Sequence, residues 1–380
     1  MRLDGARLQR TLGCIVQSTT LTVPRTIDLA SPFLIGDVEI ATRVVLAPMA
    51  GVSVQAFRRQ GRRFGAGLVC SEMVSACGLS YGNARTLGYL RIARDEHPLA
   101  VQVFGSDPAT VAEAARMCET AGADIIDINF GCPVRKVTKT GAGASALDNH
   151  DIAVAVTRAV AEAVAVPVTV KLRRGVRNGA RDCLVLGPKL AAVGAQAITL
   201  HPRSAQQMYT GRADHALTAE LVELVDIPVL ASGDITTRAG AQAVLAQTGA
   251  SAVMIARGAQ GDPWLLAELV DGIRREPSDA ELVGELVRFV REVAREMTPE
   301  RAVGWLRKFY GWYLRGGRLG PGMRSALAQA KSIDEVERLL LEACPAAQSL
   351  VDQGEREIAA LGAIEDDELL DLPISIYSAG

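Results

Sequence analysis

The 380-residue sequence predicts an α/β protein, a (β/α)8 TIM barrel followed by a small C-terminal helical bundle domain. Three observations predict it. Eight short apolar runs recur between residues 43 and 259, each ending in Gly, Pro or polar residues and followed by helical periodicity. The runs are continuous rather than alternating, which suits parallel strands buried on both faces. Beyond about residue 270 the strand signal stops and helical periodicity continues alone.

In order, the runs are RVVLAPMAG (43–51), GLVCSEM (67–73), PLAVQVFG (98–105), DIIDINFGCP (124–133), VPVTVKLR (166–173), AQAITLHPR (195–203), IPVLASGDI (227–235) and SAVMIARGA (251–259). Stretches such as DPATVAEAARMCETAGA between them read as crossover helices. Gln102, Asn129, Cys132, Lys171, His201 and Arg203 all fall at the carboxyl ends of the runs. In this fold that rim is where active sites are assembled, so an active rim is expected.

Further along, Leu282, Leu286, Phe289, Val290, Val293 and Met297 share one helical face. Thr298 and Pro299 give a cap and a first-turn signal for a second helix. Ser332 and Glu335 have capping-box spacing ahead of Val336, Leu339 and Leu340. The expected organisation is an N-terminal extension (1–31), a catalytic barrel (32–270), a helical domain (277–350) and an acidic tail (351–380) without a readable pattern.

Composition narrows the function classes. A 49% hydrophobic chain of this length can bury a large core. No apolar run approaches the ~20 residues of a membrane helix, and the first 30 residues lack the apolar block of a secretory signal, so a cytoplasmic protein off the membrane is expected. Seven cysteines without a CxxC pair, and histidines that do not cluster, suggest neither a disulfide framework nor a metal site. The net charge is −2, but residues 351–380 hold eight acids against Arg356, a net of −7, which leaves +5 on the remainder. That balance is compatible with an RNA partner.

The rim residues suggest chemistry. SGDI after the seventh run and ARGAQGDP after the eighth place glycines and backbone N–H groups where such barrels bind phosphate, with Arg257 adding charge. Lys171 and Arg173 alternate out of one strand, so both point the same way. A lysine facing a barrel mouth wants an anion or an electron-rich acceptor such as a flavin ring; a lysine just past the strand end would be plain surface. His201 and Arg203 share that spacing, and His201 reads as a rim residue or a satisfied structural histidine. Gln102 could bond a heterocycle edge or the barrel's own backbone. Cys132, between Gly131 and Pro133 at a strand end, could serve as nucleophile, general base or general acid. Proton transfer asks least of its surroundings, since no activating partner is apparent in sequence. Arg135, Lys136 and Lys139 after it form either a solvated loop or a grip on an anionic backbone.

Taken as an ordered set from about residue 32 to 345, these motifs resemble the bacterial branch of the tRNA-dihydrouridine synthases. The pieces are LAPMAGVSVQAFR, SEMVSA, VQVFGSDP, DINFGCPVRKV with GAGASAL, VTVKLR, LHPRSAQQMYTGRADH, IPVLASGDI, GASAVMIARGAQGDPW and LRKFYGWY. The resemblance implies an FMN-dependent oxidoreductase that uses NADPH or NADH to reduce uridine in tRNA to 5,6-dihydrouridine. It implies that Pro48, Met49 and Ala50 line the flavin, that Gln102 and Lys171 bind its polar edge with His201 nearby, and that Ser232, Gly233, Asp234, Ala256 and Arg257 hold its ribityl and phosphate part. Asn129 and Arg203 would face the uracil, Cys132 would be the general acid, and Arg135, Lys136 and Lys139 would grip the RNA. A monomer is expected.

The sequence departs from the family pattern at four places: Ser232 stands for Asn, Ala256 for Gly, Val54 for Asp and Phe309 for His. Two other readings share some features. An FMN barrel of the dihydroorotate or dihydropyrimidine dehydrogenase type would act on a free base and would not need LRKFYGWY. A non-catalytic tRNA chaperone would not need Cys132 or Lys171.

Overall fold

The computed structural model describes residues 27–368, with side chains as far as 360. The strands in chain order are β1 (Phe33–Ile35), β2 (Val38–Ile40), β3 (Val44–Leu46), β4 (Leu68–Cys70), β5 (Val74–Ser75), β6 (Leu99–Phe104), β7 (Ile125–Phe130), β8 (Val168–Arg173), β9 (Ala197–His201), β10 (Val229–Ser232) and β11 (Ala252–Ile255). β1 and β2 pair antiparallel as a hairpin. Eight parallel strands close the barrel in the order β3, β4, β6, β7, β8, β9, β10, β11, and β11 pairs back to β3. Each predicted run holds one of them. The hairpin, and β5 as a short second pairing with β6, were not read from the sequence.

The two-residue period of a strand sorts the barrel's side chains into two cores. Val45, Ala47, Leu68, Cys70, Ala100, Ile125, Ala197, Leu230, Ala252 and Met254 face inward and form one apolar cluster. Ile35 and Ile40 of the hairpin join that cluster, each at most 1% exposed, so the hairpin stoppers the amino-terminal end of the barrel. Burial of each is worth about 2 kcal/mol. The intervening residues, among them Val44, Leu46, Val101, Ile126, Val170, Leu200 and Ile255, lie in the second core under the surrounding helices. Counting by twos from this apolar floor toward the carboxyl ends reaches Gln102, Asp127, Asn129, Thr169, Lys171, Thr199, His201 and Ser232. The pattern that packs the floor therefore aims polar residues into the mouth.

The C-terminal helices run Asp279–Glu296, Pro299–Tyr313, Met323–Gln329, Ile333–Ala343 and Gln348–Glu368. In the first, Leu282, Leu286, Phe289, Val290 and Val293 are buried, and Ser278 and Glu281 form a reciprocal capping box. Ser332 caps the fourth through the N–H of Glu335, but Glu335 reaches back to the N–H of Lys331 rather than to Ser332. Phe309 is fully buried among Phe57, Phe289, Trp305 and Trp312.

The last helix crosses the point where a patternless acidic tail is expected. Val351 and Ile358 bury against the bundle, Glu355 pairs with Arg291 and Arg295 at 3.0 and 2.9 Å, and Glu357 pairs with Arg288. Its acids match arginines on the helix Asp279–Glu296, while sparse apolar positions leave little periodicity to read. The remainder of the acidic segment, and most of the N-terminal extension, lie outside the described residues.

Barrel and bundle meet over the ends of β3 and β11. Gly261, at φ +71°, leaves no room for a side chain: a Cβ there would lie 2.3 Å from the backbone of Trp312. Arg63 bridges Glu285 and Glu292 at 2.7 and 2.8 Å, and Gln60 bonds Glu285 and Tyr313.

Candidate active site

The inner wall of the mouth is organised by a chain of hydrogen bonds. The Thr169 hydroxyl donates to Asp127 Oδ1 at 2.7 Å, and Gln102 Nε2 donates to Asp127 Oδ2 at 2.6 Å. Asn129 Nδ2 donates to Gln102 Oε1 at 2.7 Å. Asn129 Oδ1 then accepts the backbone N–H groups of Gly131 at 3.1 Å and Cys132 at 2.9 Å. Strand register produces this ladder: Asp127 is the Cα partner of both Gln102 and Thr169. Burial pushes the Asp127 carboxyl upward, while Gln102, Thr169 and the charge of Lys171 pull it down.

Cys132 itself is half-buried where the chain leaves β7. Its carbonyl accepts the N–H of Ala144 at 3.0 Å, and Gly143, at φ +62°, sits where a Cβ would lie 2.8 Å from that carbonyl. The GAGASAL segment thus packs directly on the cysteine. The Gly131 carbonyl is braced by Arg173 Nε at 2.9 Å, and Arg173 also ties down the carbonyls of Ser204 and Met208.

Lys171 stands opposite Asn129 in the register of β7 and β8. Its ammonium has no hydrogen bond or ion pair among the described residues, and burial, then Arg173, lower its pKa to about 8 against the pull of Asp127. His201 is driven down to about 2 by burial and then by Lys171, Arg173, Arg203 and Arg257, so it is a neutral imidazole. Arg203 Nη1 lies 3.3 Å from His201 Nε2, which makes that nitrogen the acceptor.

Arg203 is 2% exposed. Its guanidinium takes both oxygens of Asp234 at 2.8 and 2.7 Å and the carbonyls of Thr210 and Gly211. Arg203 thereby braces the loop after β9 against the loop after β10. Asp234, held at φ +56°, also accepts the N–H of Ala213, so its side chain is likewise committed and only its backbone is available to a ligand. Burial raises the Asp234 carboxyl, but the Ala213 N–H and Arg203 bring it below the usual range.

Ser232 and Gly233 end β10, and Ala256 and Arg257 follow β11. Gly233, at φ +115°, touches Ala213 and His201 closely enough that a Cβ would lie 2.9 and 3.0 Å from them. Arg257 is exposed, with its guanidinium 5.0 Å from the Tyr209 ring, which Arg173 also faces at 5.6 Å.

On the opposite wall, Pro48, Met49 and Ala50 leave β3 as a loop pinned at several points. Met49 N–H donates to Ser53 Oγ at 2.9 Å, and Gln260 Nε2 approaches Met49 Sδ at 3.5 Å. Gly51 donates its N–H to Glu72 and accepts Lys308 from the helix Pro299–Tyr313. Lys308 also lies 4.2 Å over the Trp305 ring, so LRKFYGWY reaches the rim directly. Arg135, Lys136 and Lys139 are exposed beside the site and make no ion pair among the described residues. No group of three metal-ligating side chains occurs among those residues.

Asp127, Tyr209, Glu72 and Lys308 were missed as site residues. For Asp127 a signal existed: it sits two residues before Asn129 on one strand, hence on the same face.

The family model for dihydrouridine synthases matches residues 45–349. The chain belongs to the dihydrouridine synthase family. A probable tRNA-dihydrouridine synthase of Mycobacterium tuberculosis is 39% identical over 334 residues, covering 83% of this chain and 86% of its own. Another, of Rickettsia conorii, is 38% identical over 288 residues, covering 74% and 87%. The tRNA-dihydrouridine synthase B of Pseudomonas aeruginosa is 37% identical over 310 residues, covering 80% and 92%. Among solved structures, morphinone reductase superposes with a TM-score of 0.51 at 16% identity, covering 68% of this chain and 93% of that one; this likeness concerns the barrel fold alone. Every rim residue from Pro48 to Arg257 lies inside the dihydrouridine synthase match, whereas the hairpin β1–β2 precedes it. No helix among the described residues is long and apolar enough to cross a membrane.

Proposed function

We propose that this dihydrouridine synthase family member reduces uridine in tRNA to 5,6-dihydrouridine, with FMN as the bound flavin, NADPH or NADH as reductant and Cys132 as proton donor. The observation that carries the reading is that Cys132, Asn129 and Lys171 meet at the ends of two adjacent strands on one mouth. The relatives named for this activity align across most of both chains.

The residues present fit a flavin nucleotide. Lys171 is a cation without a partner facing into the mouth, and Gln102 is fixed beside it. The close approach at Gly233 leaves a backbone cradle next to exposed Arg257, a setting suited to a phosphate. A reduced flavin supplies the hydride that saturates carbon 6 of the base. Lys171 would hold positive charge at the polar edge of the ring system, and neutral His201 would offer a hydrogen bond there without adding charge. Asn129 would orient the uracil with its second amide hydrogen, which would exchange its long contact to Met73 Sδ, 4.0 Å away, for the base. Cys132 gives its thiol proton to carbon 5, which completes the saturation, and the thiolate left behind regains a proton from solvent at its half-buried position.

The target base has to leave its stack to reach a barrel mouth. Arg135, Lys136 and Lys139 would hold the backbone, and the helical domain, docked through Lys308, would form the second wall. That wall and the exposed basic residues favour tRNA over a free base. The protein would act as a cytoplasmic monomer. Deleting the gene and mapping dihydrouridine in tRNA tests the assignment: loss at one or more positions is expected, and unchanged modification at every position refutes it.

A further inference from the structure

We infer that Asp127 is a positioning residue for the proton donor, acting on the Cys132 backbone through Gln102 and Asn129. This rests on the proposed role of Cys132.

A carboxylate only accepts hydrogen bonds, and a backbone N–H only donates. Between Asp127 at one end and the N–H groups of Gly131 and Cys132 at the other lie two primary amides. Each has one accepting and one donating face. Asp127 requires the nitrogen of Gln102 to turn toward it, so the oxygen of Gln102 turns toward Asn129 and takes its nitrogen. The oxygen of Asn129 is then left for the two backbone donors. The demands from the two ends agree, and all four links measure 2.6 to 3.1 Å.

The chain is anchored at Asp127, which is 3% exposed and accepts a second hydrogen bond from Thr169. Gln102 and Asn129 are 2% and 7% exposed and cannot exchange this network for water. A buried network of this kind holds its members in one geometry when every member is satisfied, and loosens when one acceptor is removed. The free amide hydrogen of Gln102, the orientation of the Asn129 amide, whose second hydrogen approaches Met73 Sδ at 4.0 Å, and the placement of Cys132 then all depend on one carboxylate that itself lies below the mouth.

The test uses the full chain as wild type, Asp127→Ala, Asp127→Asn, Gln102→Leu and the double variant Asp127→Ala/Gln102→Leu. The first readout needs neither flavin nor tRNA: the rate at which iodoacetamide alkylates Cys132, divided by the rate at exposed Cys77. Asp127→Ala should raise this ratio by ~5-fold or more as the turn loosens. Gln102→Leu should do the same, and the double variant should equal either single variant, because both cut one chain. Asp127→Asn keeps one acceptor for Gln102 and should stay within about twofold of wild type. The second readout is turnover on tRNA, where Asp127→Ala should lower kcat by ~10²-fold with KM for tRNA within about twofold.

A wild-type alkylation ratio in Asp127→Ala, or effects of Asp127→Ala and Gln102→Leu that multiply, would overturn the inference. If Asp127→Ala does not fold, an unchanged Cys132 rate in Gln102→Leu overturns it equally. If wild-type protein makes no dihydrouridine, the functional reading fails, while the alkylation series still decides whether Asp127 positions Cys132.

Discussion

Glu296 accepts the backbone N–H of Ala56, so the first turn of the helix Gln55–Arg63 is capped from the helical domain. The helix's own N-cap residue is Val54, which has no side-chain acceptor. The cap therefore comes from the far domain and not from the preceding loop. Burial raises the Glu296 pKa from 4.5 to about 7, against the Ala56 N–H and Arg58. A carboxyl raised on folding contributes stability that is complete below pH 4.5 and is lost as pH rises through about 7. Unfolding free energy measured by urea titration should therefore fall across that window by at most ~3 kcal/mol from this group. Glu296→Gln should flatten the profile, and an unchanged profile would contradict the account. In a Glu296→Ala background, Val54→Asp should recover about 1 kcal/mol by supplying a local cap.

Lys171 gives the opposite pH dependence. Its pKa falls from 10.5 to about 8 on folding, mainly through burial, so the folded chain carries a deficit below pH 8 that disappears as pH rises to 10.5. Flavin-free Lys171→Met should be more stable than wild type at pH 7, by at most ~3 kcal/mol, and should fail to retain FMN. A variant that is destabilised, or that still purifies with flavin, would show that the ammonium is not held for a ligand.

Gly261→Ala should separate the roles of the two domains. The added Cβ would meet the Trp312 backbone at 2.3 Å, and the residue would be forced to φ +71°. A loss of ~2 kcal/mol in denaturant unfolding is expected, with weaker tRNA binding, because the helical wall can no longer seat on the rim. Wild-type stability in this variant would mean that the close approach does not hold the domains together.

The charge reversals Lys136→Glu and Lys139→Glu should each weaken tRNA binding by ~10-fold at low salt, reduce the slope of log affinity against log salt by ~1, and leave the thermal midpoint in place. Binding with an unaltered salt slope would remove these lysines from the RNA path.

Much of the barrel was legible because burial on both faces writes continuous apolar runs, and all eight hold strands. The hairpin was not, since Leu34 and Glu39 face out of a three-residue strand pair too short for a periodic signal. In the site, Gln102, Asn129, Lys171 and His201 could be placed from strand parity and strand ends. The bracing role of Arg203 could not: its bonds to Asp234 and to two carbonyls join two separate loops, and only the fold brings them together. Asp127 was legible as a mouth-facing residue by strand parity with Asn129, but its bond to Gln102 was not, and Glu296 caps Ala56 from 240 residues away, a range over which no local pattern exists.

The proposed role of Cys132 as proton donor in a flavin-driven reduction of tRNA uridine is tested most directly by removing its thiol. Wild-type and Cys132→Ala proteins loaded with FMN should be mixed with NADPH and unmodified tRNA, and the dihydrouridine formed should be quantified by mass spectrometry. Both proteins should oxidise NADPH through the flavin, and the wild type alone should accumulate dihydrouridine. Equal dihydrouridine from the two, or none from the wild type, would contradict the account.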